Sequence, residues 1–234
     1  MDFTNKELLE AWDWASGTPE GVPVARGESY KKGIPHEGVH LWIIRCATEA
    51  YEILFQRRSL RKELFPGHLD ITVGGHVPFG LKENKIQKEA MEELGISPSD
   101  ADMTDLGYIR YEEITAEYVH REFQHVYIMR DDRPIDSYSF NDGEVTGLCS
   151  VPADYVMSLF EKESELPVQY YDGRSVTVRI IGKNDFHPLL FSSIMKEYMT
   201  VLFASCKELV TTGKVETRMP GIVYRLPVQG EQDE

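Results

Sequence analysis

The sequence predicts an α/β (α+β) chain, and three observations carry that prediction. Runs rich in Val, Ile and aromatic residues, the composition of strands, lie at 38–46, 51–57, 69–75, 105–115 and 118–130. A helix with clear ends interrupts them between Asn84 and Gly95, and a longer one is expected from about Pro188 to Val210. With 234 residues, the chain has room for one domain of ordinary size with an extension, or for two small ones.

In chain order, residues 4 to 15 are expected to form a short N-terminal helix, and the Gly- and Pro-rich residues 16 to 36 an extended arm. Thr48-Glu-Ala50 reads as the turn between the first two strands. The strand over 69–75 runs into a glycine-rich loop and then the first strong helix. There Asn84 is the expected N-cap, and Gln87, three residues on, completes a capping-box pattern. Gly95 suits the left-handed residue after the last turn. Ile86, Ala90 and Leu94 recur every four residues and supply a buried stripe. Ser97-Pro-Ser-Asp100 breaks the chain before the next strands, and Pro152 to Phe160 suggests another helix start. Tyr170 to Ile180 reads as a hairpin around Asp172-Gly173. Asp185 is expected to cap the last helix, with Gly213 near its end. The expected division is an arm over 1–35, a core over 36–160, and a hairpin and long helix over 161–234 packed on that core.

The chemistry concentrates in Gly74 to Ile96. Glu89, Glu92 and Glu93 sit at i, i+3 and i+4 of the helix and so share one face. Taken alone, Glu-x-x-Glu-Glu is a common solvated helix face. Three carboxylates within one turn repel each other, however, and a glycine loop just upstream leaves room for a ligand. Such hard oxygen donors suit Mg²⁺, Mn²⁺ or Ca²⁺ better than zinc. Off the apolar stripe, they are expected to face a cleft or water.

This stretch resembles the Nudix box: Gly, five residues, Glu, seven residues, then Arg-Glu-apolar-x-Glu-Glu-x-Gly-apolar. The second half, Lys88-Glu89-Ala90-Met91-Glu92-Glu93-Leu94-Gly95-Ile96, matches except for Lys88 in place of Arg. The first half departs, because its Glu falls on Gly80 or Leu81. Further segments resemble the Nudix branch related to isopentenyl diphosphate isomerase. They are Gly33-Ile-Pro-His-Glu-Gly-Val-His-Leu-Trp-Ile-Ile44, Leu54-Phe-Gln-Arg-Arg-Ser59, Phe65-Pro-Gly-His-Leu-Asp-Ile-Thr72, His120-Arg-Glu-Phe-Gln-His-Val-Tyr127 and Phe140-Asn-Asp-Gly-Glu-Val145. The likeness covers roughly residues 22 to 160, with its motifs in the family's order.

The resemblance implies a mixed β-sheet sandwiched between helices, and a Mg²⁺ site, with Mn²⁺ as the alternative ion. Glu89, Glu92 and Glu93 would hold the metal, with Glu122 as a further ligand. Glu144 would be the general base. Lys88 would orient a neighbouring Glu, with a point charge rather than a planar fork. The basic cluster Arg57, Arg58, Arg61 and Lys62 would recruit phosphate near the cleft. His40 and His76 stand near histidines of the isomerase. Gly74 replaces the cysteine that its mechanism needs, so these two read as structural or substrate contacts rather than ligands. Gly75 would lie against the substrate.

Composition sets the outer limits. The chain carries 25 basic and 39 acidic residues, a formal charge of −14. That balance argues against a nucleic-acid backbone or an anionic membrane as partner. The N-terminus lacks the apolar core of a signal peptide, and no apolar run approaches a membrane span. Cys46, Cys149 and Cys206 are far apart and read as reduced thiols of a cytoplasmic protein. The expected activity is metal-dependent cleavage of a diphosphate linkage, in a nucleoside diphosphate derivative or a related metabolite. The alternatives are an isopentenyl diphosphate isomerase and a catalytically weak module that binds a nucleotide or diphosphate. A homodimer is the default assembly.

Overall fold

The computed structural model describes residues 4–46, 51–62, 64–219, 221 and 223–225. The expected turn at Thr48-Glu-Ala50 lies outside the described residues. The chain opens with a hairpin, Leu8–Asp13 (β1) paired antiparallel with Thr18–Ala25 (β2), followed by the helix Arg26–Lys32 (α1). The N-terminal helix expected over 4–15 is therefore a strand. Leu9 and Ala11 alternate inward, and with Val24 they form a small buried cluster. The turn is set by Asp13, which accepts from the Ser16 amide at 2.7 Å, and by Gly17 at φ 68°. The arm expected to be extended over 16–36 contains α1, closed by Gly33 at φ 65°.

The strands His36–Arg45 (β3), Glu52–Arg58 (β4), Leu69–Asp70 (β5) and Val73–His76 (β6) precede the helix Lys85–Leu94 (α2). Met103–Ile114 (β7), Val119–Arg130 (β8) and Val145–Pro152 (β9) follow, then the helix Ala153–Ser158 (α3). The hairpin Leu166–Tyr171 (β10) and Val176–Ile181 (β11), the helix Ser193–Thr212 (α4) and the strand Val223–Arg225 (β12) complete the described elements. One sheet runs in the order β11-β10-β9-β4-β3-β8-β7-β12, with β5 on β4 and β6 on β3. It is mixed: β3 lies parallel to β8 and antiparallel to β4 and β6.

β3 is central, and its residues are divided between two cores. Leu41 and Ile43 pack on one face with Ile86, Ala90 and Leu94 of α2. Trp42 and Ile44 pack on the other with Tyr198, Met199 and Leu202 of α4. Helices therefore cover both faces, as a strand buried on both sides requires. Trp42 Nε1 donates to Tyr198 Oη at 2.6 Å, which pins α4 to the sheet.

β3 and β4 pair at Ile44–Ile53 and Arg45–Glu52 and then part. β6 continues along β3, and β5 along β4, so the sheet forks. Thr72, fully buried between the two short strands, bridges the fork. Its hydroxyl accepts from the Ile43 amide at 3.1 Å and donates to the Leu54 carbonyl. The single strand expected over 69–75 is thus two strands, broken where this side chain replaces backbone pairing.

Two caps also differ from expectation. Asn84 precedes α2 at φ 55° and makes no side-chain cap, while Gln87 donates to Asp100 at 2.7 Å instead. Asp185 accepts from the Gly182 amide, closing a 3-10 turn of its own. Ser192 caps α4, accepting from Met195 N at 3.3 Å. Pro188–Phe191 is a separate 3-10 turn before that helix. Gly95 at φ 67° and Gly213 at φ 71° end α2 and α4 as expected.

Candidate active site

The fork opens into a cleft of about 400 Å³ lined from α1, β4, β6, α2, β8 and the loops after β8 and before α4. Carboxylates from α2 form one end. Gly75 makes their approach possible: a Cβ there would stand 2.3 Å from Glu89 Oε2. Glu93 was expected off the buried stripe, yet it is 2% exposed, because α2 is turned far enough to bring it under β6. It accepts from the Gly74 amide at 3.1 Å and from Gln56 Nε2 at 3.3 Å. Burial pushes the Glu93 carboxyl well above the usual range, and the Gly74 amide opposes the shift. Glu89 is raised as well, first by burial.

Lys88 sits between the other two carboxylates, 3.0 Å from Glu89 and 2.6 Å from Glu92. Burial works against its charge, but these hydrogen bonds prevail and raise its pKa. Glu92 is exposed. Glu144, on the loop before β9, pairs with Lys62. Ligand atoms of Glu93, Asp142 and Glu144 lie within 4.8 Å of one another. Asp142 escaped the sequence reading because an acidic loop residue next to a glycine looks solvated. Its spacing of two from Glu144 was the available signal.

The basic cluster divides. Lys62 lines the cleft. Arg58 lines it too, but is held by Asp70 at 2.8 Å and by the Leu64 carbonyl. Burial alone would raise Asp70, yet His187 and Arg58 outweigh it and hold the carboxyl low. Arg57 was expected to bind substrate, but its guanidinium lies 5.8 Å over the Tyr170 ring and does not line the cleft. Strand alternation turns Arg57 and Arg58 to opposite faces. His40 lines the cleft and lies 3.4 Å from Tyr198 Oη. Burial lowers it to about 4, against the attraction of Asp70.

Glu122 does not join the α2 carboxylates. It groups with His36, His76 and His120 at the other end of the cleft, ligand atoms within 4.8 Å. Burial raises Glu122 to about 7 and lowers His36 to about 4. His36 and His120 were missed because a lone His on an apolar strand carries no signal by itself. Gly38 leaves room for Glu122 itself, since a Cβ there would stand 2.3 Å from Glu122 Oε1. Of the two positions on which the box Glu falls, Gly80 is open at φ 82° and Leu81 packs against the α2 core.

Comparison with known proteins gives a consistent family. No family model matches the chain. An uncharacterized Nudix hydrolase of Clostridium acetobutylicum is 28% identical over 170 residues, covering 70% of this chain and 82% of that protein. Nudix hydrolase 3 of Arabidopsis thaliana is 32% identical over 161 residues, 66% of this chain but 20% of that longer protein. A solved protein of Deinococcus radiodurans matches with a TM-score of 0.49 at 21% identity, covering 65% of this chain and 87% of its own. With its box helix placed against the fork and its curated relatives named as they are, the chain belongs to the Nudix hydrolase superfamily, enzymes that hydrolyse diphosphate bonds, in general those of nucleoside diphosphate derivatives.

Proposed function

We propose that this chain is a divalent-metal-dependent hydrolase that cleaves the diphosphate of a nucleoside diphosphate derivative or a related metabolite with water. Mg²⁺ is the proposed ion and Mn²⁺ the alternative. One observation carries the reading: a buried carboxylate, Glu93, stands with the exposed Asp142 and Glu144 of the cleft lining, ligand atoms within 4.8 Å. An all-oxygen donor set, with Gly75 clearing space for Glu89, fits a hard cation. Glu89, Glu92 and Glu93 would hold it, and Asp142 is a further oxygen donor beside them. The ion would neutralise phosphate charge and acidify the attacking water.

The remaining work falls to the protein. Gln56 and the Gly74 amide fix the Glu93 carboxylate. Glu144 Oε is the proposed acceptor of the water's proton. Lys62, paired with Glu144 before substrate arrives, turns to the diphosphate and frees that carboxylate. Arg58 holds the loop through Asp70 and Leu64 rather than meeting phosphate directly. His40 and His76 form part of the cleft wall.

The absent box Glu, at Gly80 or Leu81, favours a second reading, a binding module with weak turnover. Isomerisation is not proposed, because Gly74 offers no acid or base there. The proposed partners are a small diphosphate metabolite and a second copy of the chain. The edge strand β11, with Val176, Val178 and Ile180 exposed, supports the latter. Among the described residues no helix is long and apolar enough to cross a membrane, and a cytoplasmic location is proposed. The test is product release across nucleoside diphosphate derivatives, nucleoside triphosphates and non-nucleotide diphosphates, with Mg²⁺, Mn²⁺ or chelator. Metal-dependent turnover supports the hydrolase and identifies the leaving group. Ligand-induced thermal stabilisation without turnover supports the binding module.

A further inference from the structure

The first turn of α2 lacks the groups that usually open a helix. Asn84 makes no side-chain cap, and no acidic residue stands in that turn. The first residue is Lys85, whose positive charge opposes the helix dipole. The box Glu of the preceding loop is absent too, since Gly80 or Leu81 takes its place. Yet this helix must deliver Glu89 to the cleft and Glu93 under β6.

Glu37 of β3 meets the helix at that point. By strand alternation it continues the row Val39, Leu41 and Ile43, which packs with Ile86, Ala90 and Leu94 of α2. Where that row would take another apolar side chain stands a carboxylate, only 3% exposed. Lys85 Nζ donates to Glu37 Oε2 at 2.5 Å, and Tyr108 Oη of β7 donates to Oε1 at 3.0 Å. The Tyr108 ring is itself stacked on His125 of β8, with centroids 4.0 Å apart. The Glu37 carbonyl accepts from the Val77 amide at 3.0 Å, where the loop into α2 begins. One residue of the central strand therefore holds both the loop and the first residue of the helix.

We propose that Glu37 and Lys85 are positioning residues of the active site: their buried ion pair, tied to β7 by Tyr108, fixes the rotation of α2 and so places Glu89 and Glu93, in a chain that lacks the box Glu.

The chemistry of the pair favours positioning over stability. Burying two charges costs desolvation, and an apolar pair of similar volume is often as stable. Apolar contacts tolerate small rotations of a helix. A carboxylate that must meet an ammonium on one oxygen and a phenol on the other tolerates few. Lys85, Glu89 and Glu93 recur every four residues, along one side of α2. On a helix about 10–12 Å across, a rotation of about 10° carries a side-chain end by about 1 Å. A displacement of that size can cost about a hundredfold in rate. The kinetic part of this proposal rests on the hydrolase reading, whereas the placement of Glu93 does not.

The test compares the full-length chain with Lys85→Met and with the double variant Glu37→Met/Lys85→Met. Readouts are melting temperature, kcat and KM in Mg²⁺, and hydrogen exchange of the Gly74 amide, which reports its bond to Glu93. Lys85→Met leaves a buried carboxylate unpaired and should lower the melting temperature. The double variant should recover that stability. Its kcat should nevertheless stay about tenfold to a hundredfold low, with KM within about twofold and Gly74 exchange at least about tenfold faster. Should the double variant fail to fold, Tyr108→Phe takes its place, with the same directions and an effect of about threefold on each readout. A folded double variant with kcat within about twofold of the unaltered chain, or with Gly74 exchange unchanged, would overturn the proposal and leave the pair a merely structural one. Failure of the hydrolase reading shows differently, as no metal-dependent turnover by the unaltered chain. Gly74 exchange then decides alone.

Discussion

The two ends of the cleft share β6 but solve different problems. At the α2 end, oxygen donors crowd together and are compensated by lysines: Lys88 lies between Glu89 and Glu92, and Lys62 meets Glu144. At the far end, nitrogen donors gather around one carboxylate with no lysine or arginine ion pair to it among the described residues. Gly75 and His76, adjacent in sequence, face opposite ends because a strand alternates. The contrast shows how one short strand sorts ligand chemistry. On the proposed function, removable lysine counterions would leave the first end open to an arriving diphosphate, while the second is walled by β3, β8 and α1.

Changes at the shared strand test this contrast most severely. Gly75→Ala puts a methyl group 2.3 Å from Glu89 Oε2 and should displace that carboxylate. Since a shift of about 1 Å can cost about a hundredfold in rate, kcat should fall on that order with the fold intact by circular dichroism. An unaltered kcat would mean that Glu89 takes no part. Lys62→Met should act less strongly. Loss of a charge-assisted contact worth about 1.5–3 kcal/mol would raise KM roughly tenfold or more, while thermal stability changes little. A change in kcat alone would place Lys62 with Glu144 rather than with substrate.

Two further changes address the scaffold. His40 has its pKa lowered to about 4 by burial, from an ordinary value of 6.5. The unfolded chain therefore binds this proton more readily than the folded one. The His40 contribution is fully present above pH 6.5 and is lost as pH falls towards 4. His40→Gln should remove up to about 2 kcal/mol of that acid sensitivity, read from urea unfolding at pH 7 and pH 5. Thr72→Val keeps the shape but strands the Ile43 amide and frees the Leu54 carbonyl. It should cost about 1–3 kcal/mol in urea unfolding. A smaller loss would indicate that the fork is held by packing alone.

The box helix was legible because its signals agree: apolar spacing, a glycine after its last turn and three glutamates on one turn. β3, β4, β7 and β8 were legible from composition. The N-terminal hairpin was not. In Leu8-Leu-Glu-Ala-Trp-Asp13 apolar residues fit both a helical and an alternating period, and the decision comes from tertiary contacts. Trp12 donates its amide to the Pro35 carbonyl at 2.9 Å and stacks on Phe123 with ring centroids 5.1 Å apart. The depth of Glu93 was also hidden, because periodicity assigns a face but not the rotation that brings it under Gly74. The His36–His120 juxtaposition depends on a parallel register that no local pattern encodes.

The central claim is that the α2 end of the fork hydrolyses a diphosphate, and its most direct test is turnover by Glu93→Gln. The substitution keeps the volume and can still accept from Gly74, but removes the charge. With a substrate that the unaltered protein cleaves in Mg²⁺, kcat should fall by at least about a hundredfold while melting temperature holds. Turnover within about twofold of the unaltered protein would contradict the account and place the chemistry elsewhere in the cleft.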